Sequence, residues 1–341
     1  MVIYLLTIRD IASKAGVSVS TVSRVLNDSK PVSEEIKMKV LNVIEETGFK
    51  PNSLARSFVT GKTNLIGIIV PELANTNFSH LVRGAEGIAN DFGYNVLLSF
   101  TDFKQDNELK YLKIMKEKHV DGIILSGVSF NEEQKKFFEE NRKCIPTVIV
   151  GQNNSSINIP YVNVNNERIA YDSVNYLLRL GHENIGFISA DIKDSSAGGE
   201  RYLGYKRALR EKNIKENKDF IQYASFDFRS GYEAMKEILK KEKHPTAILC
   251  ANDVIAIGAI NCILDNGYTV PDDFSVMGID NSDFSHWFRP ALTTVNIDFH
   301  KFGVLAMEQL IKCINNNQLT NEKKGTFIEH ELIPRNTCKK I

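Results

Sequence analysis

The spacing of hydrophobic residues differs between two parts of this chain. In the first 48 residues the apolar positions recur at intervals of three and four, as on one face of an α-helix, and Ile8, Ile11, Ala12 and Ala15 form the first such stripe. From Leu65 onward, short continuous apolar runs alternate with longer amphipathic stretches. That alternation predicts strands joined by helices, and hence parallel sheets with helices on both faces.

Capping residues and glycines mark the ends of the helices that are predicted in the first 48 residues. Thr7 and Asp10 have the spacing of a capping box, which satisfies free N–H groups at a helix start. Gly16 can adopt the left-handed backbone that ends this helix, and Ser18 is a good N-cap for a second one. A third helix with its own apolar stripe ends at Gly48. The sequence therefore predicts a small three-helix bundle.

The outward face of the second predicted helix suits a DNA groove. Its outward residues are Val19, Ser20, Thr21, Ser23 and Arg24. Arginine can donate two hydrogen bonds to guanine, serine can bond several bases, and valine can pack on a thymine methyl group. Ser18, Thr21 and Ser23 are short donors of the kind that contact phosphates. A helix pair with a polar outer face is also common in other proteins, so this pattern alone leaves the choice open.

Charge is balanced over the whole chain but not locally. The 341 residues, enough for two or three domains, include 42 basic and 42 acidic side chains. Residues 1–62 carry 9 basic and 6 acidic residues, a net charge of +3, which leaves −3 on the remainder. A basic N-terminal segment followed by a mildly acidic remainder favours a nucleic-acid-binding protein over a membrane-binding one.

Cysteine usage and hydropathy indicate the compartment. The five cysteines are scattered and include no C-x-x-C pair: Cys144, Cys250, Cys262, Cys313 and Cys338. We expect reduced thiols in a cytoplasmic protein, with no disulfide, metal site or cofactor. No apolar run approaches the roughly 20 residues that span a bilayer, and the six apolar residues at the start lack the length and basic region of a signal peptide. We therefore expect no membrane partner.

The alternating apolar and amphipathic stretches from Leu65 onward predict eight strands. They are Leu65–Val70, Tyr94–Ser99, Val120–Ser126, Pro146–Val150, Tyr161–Val164, Ile185–Ser189, Ala247–Cys250 and Phe274–Ile279. The roughly 280 residues that follow position 61 are too many for one such sheet, so we expect two Rossmann-like lobes that divide near Pro160. No G-x-G-x-x-G or Walker loop follows a strand, and no nucleophile–base pair is evident, so the pattern favours a binding protein with no catalytic residues over an enzyme.

Specific strings in both parts of the chain resemble the LacI/GalR family of bacterial repressors. The runs Thr7-Ile-Arg-Asp-Ile-Ala, Ala15-Gly-Val-Ser and Thr21-Val-Ser-Arg-Val-Leu-Asn27 resemble its helix-turn-helix. Later segments resemble further family signatures: Gly181-His182-x-x-Ile185-Gly-Phe, Arg201-x-x-Gly204-Tyr205, Asn252-Asp253-x-x-Ala256-x-Gly258, Gly278-Ile-Asp280-Asn281 and Pro290-Ala-Leu-Thr-Thr294. The resemblance covers nearly the whole chain.

The resemblance implies a domain plan for this α/β protein. It comprises a helix-turn-helix domain at 7–50, a hinge helix at 51–61 and an effector-binding, dimerising core at 62–341 of the periplasmic-binding-protein-like type I fold. The first lobe would include about 62–160 and 293–323, and the second about 161–292 and 324–341. In the hinge, Ala55 would lie in the DNA minor groove, Arg56 near phosphates, and Phe58 at the position of the family's leucine wedge. Thr7 and Asn27 complete the predicted DNA-contacting set.

An effector cleft is predicted beyond the carboxyl ends of the strands, where open α/β sheets bind ligands. This rule points to Asn75, Asn77 and Phe78 after the first strand and to Asn252 and Asp253 after the strand that ends at Cys250. The resemblance adds Arg201 and Asp253 as a clamp on polar groups, Phe226 as a stacking ring, and Asp280. Simpler readings stay open: Asp253 as an N-cap, Arg201 as a surface charge, and Phe78 and Phe226 as core residues.

Together these observations predict a transcriptional regulator. We expect a repressor of carbohydrate-utilisation genes that binds a palindromic DNA operator as a homodimer and is switched by a sugar or sugar derivative. Two alternatives stay open. One is a regulator that responds to a phosphorylated protein partner. The other is a sugar-binding protein without a DNA role, which would need an export signal.

Overall fold

A computed structural model describes residues 6–27, 31–49, 61–127, 130–141, 144–152, 158–190, 198–316 and 325–341. The chain forms two compact units, Met1–Thr63 and Asn64–Ile341. The boundary between them falls two residues after the predicted start of the core. The predicted hinge helix at 51–61 lies outside the described residues except for Gly61.

The first unit is the predicted small helical bundle. Its helices are α1 (Ile8–Ala15), α2 (Val19–Asn27) and α3 (Glu34–Thr47). The side chain of Thr7 accepts the Asp10 N–H, and the Asp10 carboxylate accepts the Thr7 N–H at 2.7 Å, which confirms the capping box. Gly16 ends α1 with a φ of 63°. The buried core includes Ile11 and Val22, as the apolar stripes predicted.

The second unit alternates strands and helices. Its strands are β1 (Leu65–Val70), β2 (Asn95–Phe100), β3 (Gly122–Ser126), β4 (Thr147–Val150), β5 (Tyr161–Val164), β6 (Ile185–Ser189), β7 (Ile221–Tyr223), β8 (Ala247–Cys250), β9 (Ser275–Met277), β10 (Thr294–Asn296), β11 (Gly325–Ile328) and β12 (Glu331–Ile333). Its helices are α4 (Thr76–Asp91), α5 (Gln105–Glu117), α6 (Glu132–Asn141), α7 (Asn166–Arg179), α8 (Gly199–Glu211), α9 (Phe228–Leu239), α10 (Asp253–Asp265), α11 (Asp283–Trp287) and α12 (Phe299–Asn316). No helix in the described ranges has the length and apolar character needed to cross a membrane.

Two parallel sheets form the two predicted lobes. The first has the strand order β11-β5-β4-β3-β1-β2, and the second has the order β7-β6-β8-β9. β10 and β12 form a separate antiparallel ribbon. The chain passes between the lobes three times: after β5, around β10, and between β11 and β12. The predicted α/β class and its two lobes are confirmed.

The strand pairings correct two of the predicted lobe boundaries. β5 pairs with β4 and β11 in the first sheet, so the boundary near Pro160 is wrong by one strand. β11 also belongs to the first sheet, whereas the prediction gave 324–341 to the second lobe. A short apolar run identifies a strand, but it does not contain the register that selects its partner. The prediction also missed β7, β10, β11 and β12, which have only three or four residues each.

Two helices of the first lobe pack with their backbones in close contact. A Cβ atom built on Gly84 of α4 would lie 2.1 Å from the carbonyl oxygen of His300 on α12. A Cβ on Gly303 of α12 would lie 1.9 Å from the carbonyl oxygen of Leu81. Only glycine allows this approach, which sets the position of α4 over the sheet. The N-terminal end of α4 carries the predicted cleft residues that follow β1.

Candidate functional site

A cavity lies between the two lobes at the carboxyl ends of the strands. It encloses about 900 Å³ of space, including its opening to solvent. Its lining residues come from both lobes: Pro71, Asn75, Asn77, Phe78, Leu81, Phe103, Ser126, Gly127, Val150, Gly151, Asn163, Val164, Asn166, Arg201, Phe226, Asn252, Asp280, Ile297, Phe299 and Phe302. Seven of the eight predicted effector residues are among them, and the exception is Asp253.

Arg201 is the cation of this cavity. Its side chain is 6 % exposed, which excludes the alternative of an ordinary surface charge. Its Nε atom donates to Asn166 Oδ1 at 2.9 Å, and its Nη1 atom donates to the carbonyl oxygen of Ala251. Its Nη2 atom lies 3.7 Å from Asp280 Oδ1. The guanidinium is therefore held in one orientation beside a carboxylate.

Asp280 interacts with side chains of both lobes. Besides Arg201 of the second lobe, the side-chain amide of Asn77 on α4 donates to Asp280 Oδ2 at 3.1 Å. Burial raises the pKa of Asp280 to about 6, although Arg201 and Asn77 act in the opposite direction. Its backbone has a φ of 112°, a conformation that side chains other than glycine rarely adopt. Such conformations concentrate at ligand sites, where the surrounding structure holds them in place.

The geometry does not support the clamp role predicted for Asp253. Its carboxylate accepts the Ser282 backbone N–H at 2.6 Å, the Ser282 hydroxyl at 3.0 Å and the Thr294 hydroxyl. These three bonds occupy the carboxylate inside the protein, and Asp253 is not among the lining residues. Nor is it the N-cap of α10, because Asn252 accepts the Ile255 N–H at 2.9 Å. Asp253 instead joins α10 to the segments that follow β9.

Aromatic rings form another part of the cavity wall. The ring of Phe103 stacks on Phe226 with centroids 6.1 Å apart and an interplanar angle of 18°. The same ring meets Phe78 edge to face at 6.2 Å. Phe78 and Phe226 pack against core residues and also line the cavity, so both of the roles considered for them fit the structure. Phe103 was not predicted.

The rule that ligands bind beyond the carboxyl ends of strands could also have identified the lining residues that the prediction missed. Phe103 follows β2, Ser126 ends β3, Gly151 follows β4, and Asn166 follows β5. All of them lie at carboxyl ends of strands in the first sheet, where the rule places ligands. The prediction applied this rule only to β1 and β8, and so it missed most of the wall formed by the first lobe.

In the first unit, α2 presents the predicted outward face to solvent. Val19 is 42 % exposed, Ser20 and Arg24 are exposed, and Thr21 and Ser23 are partly exposed. Ser18 caps the helix, since its hydroxyl accepts the Thr21 N–H at 3.1 Å. Thr7 is exposed at the start of α1. The predicted contacts of Ala55, Arg56, Phe58 and the Asn27 side chain lie outside the described residues.

The described residues give no sign of a metal centre. No group of three or more His, Cys, Asp or Glu side chains among them is arranged to hold a metal ion. The cavity lining instead offers amides, a hydroxyl, one guanidinium and one carboxylate. These groups donate and accept hydrogen bonds and suit a polar organic ligand.

Comparisons with known proteins agree with both parts of the chain. Residues 7–52 match the family model described as bacterial regulatory proteins, lacI family, and residues 174–338 match that of a periplasmic binding protein-like domain. The HTH-type transcriptional regulator RegA of Clostridium saccharobutylicum is 39 % identical over 96 % of this chain and 98 % of its own. Catabolite control protein A of Priestia megaterium is 37 % identical over 91 % and 92 %.

A solved structure shows the same fold. The lac repressor dimer, bound to operator and the anti-inducer ONPF, matches with a TM-score of 0.87 over 98 % of this chain and 99 % of its own, at 24 % identity. Fold, site and relatives together define a DNA-binding transcriptional regulator with a two-lobed ligand-binding core. The chain belongs to the LacI family of bacterial regulatory proteins.

Proposed function

We propose that this regulator is a cytoplasmic repressor of carbohydrate-utilisation genes. It binds a palindromic operator as a homodimer, and a sugar or sugar derivative in the inter-lobe cavity switches it. One relative is named a transcriptional regulator and the other a catabolite control protein, and neither name is that of an enzyme, which supports a binding role without catalysis. A two-fold symmetric dimer requires a two-fold symmetric operator.

The exposed face of α2 supports the proposed operator contact. Arg24 and Ser20 are exposed and can meet base edges, and Val19 offers an apolar contact for a thymine methyl group. Ser18, Thr21 and Ser23 supply short donors for phosphates, with Thr7 and Asn27 at the two ends of the motif. Buried residues such as Val22 hold this face outward. One such bundle makes few contacts, so the second copy adds affinity through effective concentration.

A single observation carries the proposed effector site: Arg201 and Asp280 form a buried pair inside a cavity that is also lined by asparagine amides. The guanidinium donates and the carboxylate accepts, so together they can bond neighbouring hydroxyl groups of a sugar. Asn75, Asn77 and Asn252 add further amide groups near the same space. Asp280 opposes a phosphate close to it by charge repulsion, so we propose an uncharged polyol for this end of the cavity.

The proposed switch acts through the hinge. An effector that closes the lobes changes the separation of the two hinge helices of the dimer, so that Phe58, Ala55 and Arg56 lose the minor groove. Coupling of this kind is typically about 1–3 kcal/mol. Replacement of Phe58 with glycine should lower operator affinity and leave effector affinity intact. Unchanged operator affinity would contradict the hinge role.

A thermal-shift screen of the full chain against sugars and sugar derivatives tests the effector site. A ligand at 100 times its dissociation constant should add roughly 2.7 kcal/mol to the free energy of unfolding. Arg201→Ala should abolish the shift. Arg210→Ala, which removes the same charge from the exposed end of α8, should leave it intact. Equal shifts in both variants would contradict this site, and no shift with any sugar would favour a protein partner.

A further inference from the structure

The turn after β2 has an unusual backbone. Asp102 and Phe103 have φ values of 51° and 57°, both in the left-handed region. The Lys104 N–H donates to the Thr101 carbonyl at 3.0 Å and closes the turn, and the Asp102 N–H donates to the Pro71 carbonyl at 2.9 Å. Turns of this shape strongly favour asparagine and glycine. A phenylalanine in this position is disfavoured locally, so a contact made by its ring elsewhere in the fold must hold it there.

That contact reaches across the cleft. Phe103 belongs to the first lobe, and its ring stacks on Phe226, which lies in the second lobe between β7 and α9. The centroid separation of 6.1 Å and the angle of 18° are those of an offset stack. Phe103 as a residue remains 37 % exposed, so part of its surface is open to a further partner. The strained turn therefore holds an aromatic ring at the cavity.

The cavity thus presents two kinds of chemistry. Arg201 and Asp280 are buried polar groups, whereas Phe78, Phe103 and Phe226 form a wall of three aromatic rings contributed by both lobes. A ligand that satisfies both needs hydroxyl or amino groups on its edge and a flat face on its ring. The C–H face of a pyranose and the face of a planar heterocycle both have this property, because each can stack on an aromatic ring.

We propose that Phe103 is a specificity-determining residue of the effector site, and that with Phe226 it forms a wall that stacks on the flat face of a ring-shaped effector. The inference rests on the proposed effector function of the cavity and names the shape that the cavity selects. Backbone outliers concentrate at ligand clamps, where the surrounding structure holds them in place. The left-handed turn holds the Phe103 ring in place at the cavity in this way.

A single-tryptophan reporter tests the stack in the full chain. Trp287 is the one tryptophan of the sequence, is exposed and does not line the cavity. The double variant Trp287→Phe, Phe103→Trp moves the indole to the cavity wall. Acrylamide should quench this indole weakly, and the further change Phe226→Ala should increase the quenching constant. An unchanged quenching constant would overturn the proposal.

Four ring compounds then test recognition: methyl β-D-glucopyranoside and cellobiose for the pyranoses, and hypoxanthine and adenine for the planar heterocycles. At least one compound should change the indole emission, and the responding pair identifies the ring type. No response to any of the four would overturn the assignment of an effector-stacking role to Phe103.

The affinities of Phe103 variants for the responding compound distinguish stacking of the ring on the effector from simple apolar packing. Phe103→Leu keeps an apolar side chain but removes the aromatic face, and it should weaken binding about fivefold to tenfold, whereas Phe103→Trp in the wild-type background should retain it. Asp102→Gly is the matched control, because it relaxes the same turn without removing a ring. Equal losses in Asp102→Gly and Phe103→Leu would overturn the proposal.

Arg201→Ala distinguishes this inference from the proposed function. If Arg201→Ala abolishes binding while Phe103→Leu leaves affinity unchanged, the cavity is the effector site and the role of Phe103 is refuted. If neither variant changes affinity, the compound binds elsewhere, and both proposals fail.

Discussion

The side-chain amide of Asn77 donates a hydrogen bond of 3.1 Å to the carboxylate of Asp280, and these residues belong to opposite lobes. One turn further along α4, His80 lies 3.2 Å from Asp283, again across the cleft. The first contact is buried and the second is exposed. Because polar contacts that are exposed to water contribute little, the Asn77–Asp280 bond is the stronger connection of the two between α4 and the second lobe.

Asn77→Ala should raise the pKa of Asp280 further above its value of about 6. The amide stabilises the charged carboxylate, and its loss removes one of the two interactions that oppose the effect of burial. Carbon-13 NMR titration of the aspartate carboxyl groups would measure the shift. Asn90→Ala, at an exposed position near the end of the same helix, is the control and should leave Asp280 unchanged. A pKa that stays constant or falls in Asn77→Ala would contradict the bond.

Asp253 should make the protein less stable as the pH rises from about 4 to 7. Burial raises its pKa from 3.8 to about 7. The folded state therefore keeps a proton that the unfolded state loses, and the free energy of unfolding falls across this interval, by at most about 1.4 kcal/mol per pH unit for one group.

Urea unfolding of the full chain at several pH values checks this dependence. Asp253→Asn removes the titrating group, so its stability should change less between pH 4 and 7. Asp265→Asn, an exposed change on the same helix α10, should keep the wild-type slope. A difference in the free energy of unfolding between the wild type and Asp253→Asn that stays constant from pH 4 to 7 would contradict the raised pKa of Asp253.

Gly84→Ala should destabilise the first lobe by about 1–3 kcal/mol, because the added methyl group overlaps the backbone of α12. Gly87→Ala is the matched control on the same helix. A Cβ there meets nothing within 4 Å, and alanine should stabilise α4 by about 0.5–1 kcal/mol. Thermal unfolding of both variants measures the difference. Two variants with the same melting temperature would refute the close helix contact.

Arg24→Ala should reduce sequence specificity by about 1–3 kcal/mol, as expected for loss of a bidentate contact to a base. The measurement compares fluorescence anisotropy for a duplex selected by the wild-type chain from a random library with that for an unselected duplex. Lys14→Ala, an exposed change of the same charge on α1, should weaken both duplexes alike. An equal loss for both duplexes in Arg24→Ala would indicate a phosphate contact instead.

Much of the fold could be predicted because most of the predicted strands are buried and read as short continuous apolar runs. All eight predicted strands are present, and four of them, Leu65–Val70, Tyr161–Val164, Ile185–Ser189 and Ala247–Cys250, have the predicted bounds. The sheet to which β5 belongs could not be predicted, since its partners β4 and β11 are distant in sequence and the same apolar run would fit either lobe.

The candidate site was predicted less completely. Arg201, Asn77 and Asp280 meet in the cavity as expected, but Asp253 was misplaced because its three partners come from segments that only the fold brings together. Phe103, three residues after β2, lies where the rule for the carboxyl ends of strands places ligands, but its residue type alone fits the core equally well. Its stacking partner could not be predicted, because only the fold brings Phe226 of the second lobe beside it.

The exchange of strands between the lobes also affects how the chain folds during synthesis. β11 lies beside β5 in the first sheet, yet it follows the whole of β6 to β9 in sequence. On the ribosome, the first lobe therefore cannot complete its sheet until residue 328 has emerged, after the sheet of the second lobe has been made. Of the two parallel sheets, the one that begins first is therefore finished last, so the edge of β5 must stay unpaired while the whole second sheet is synthesised.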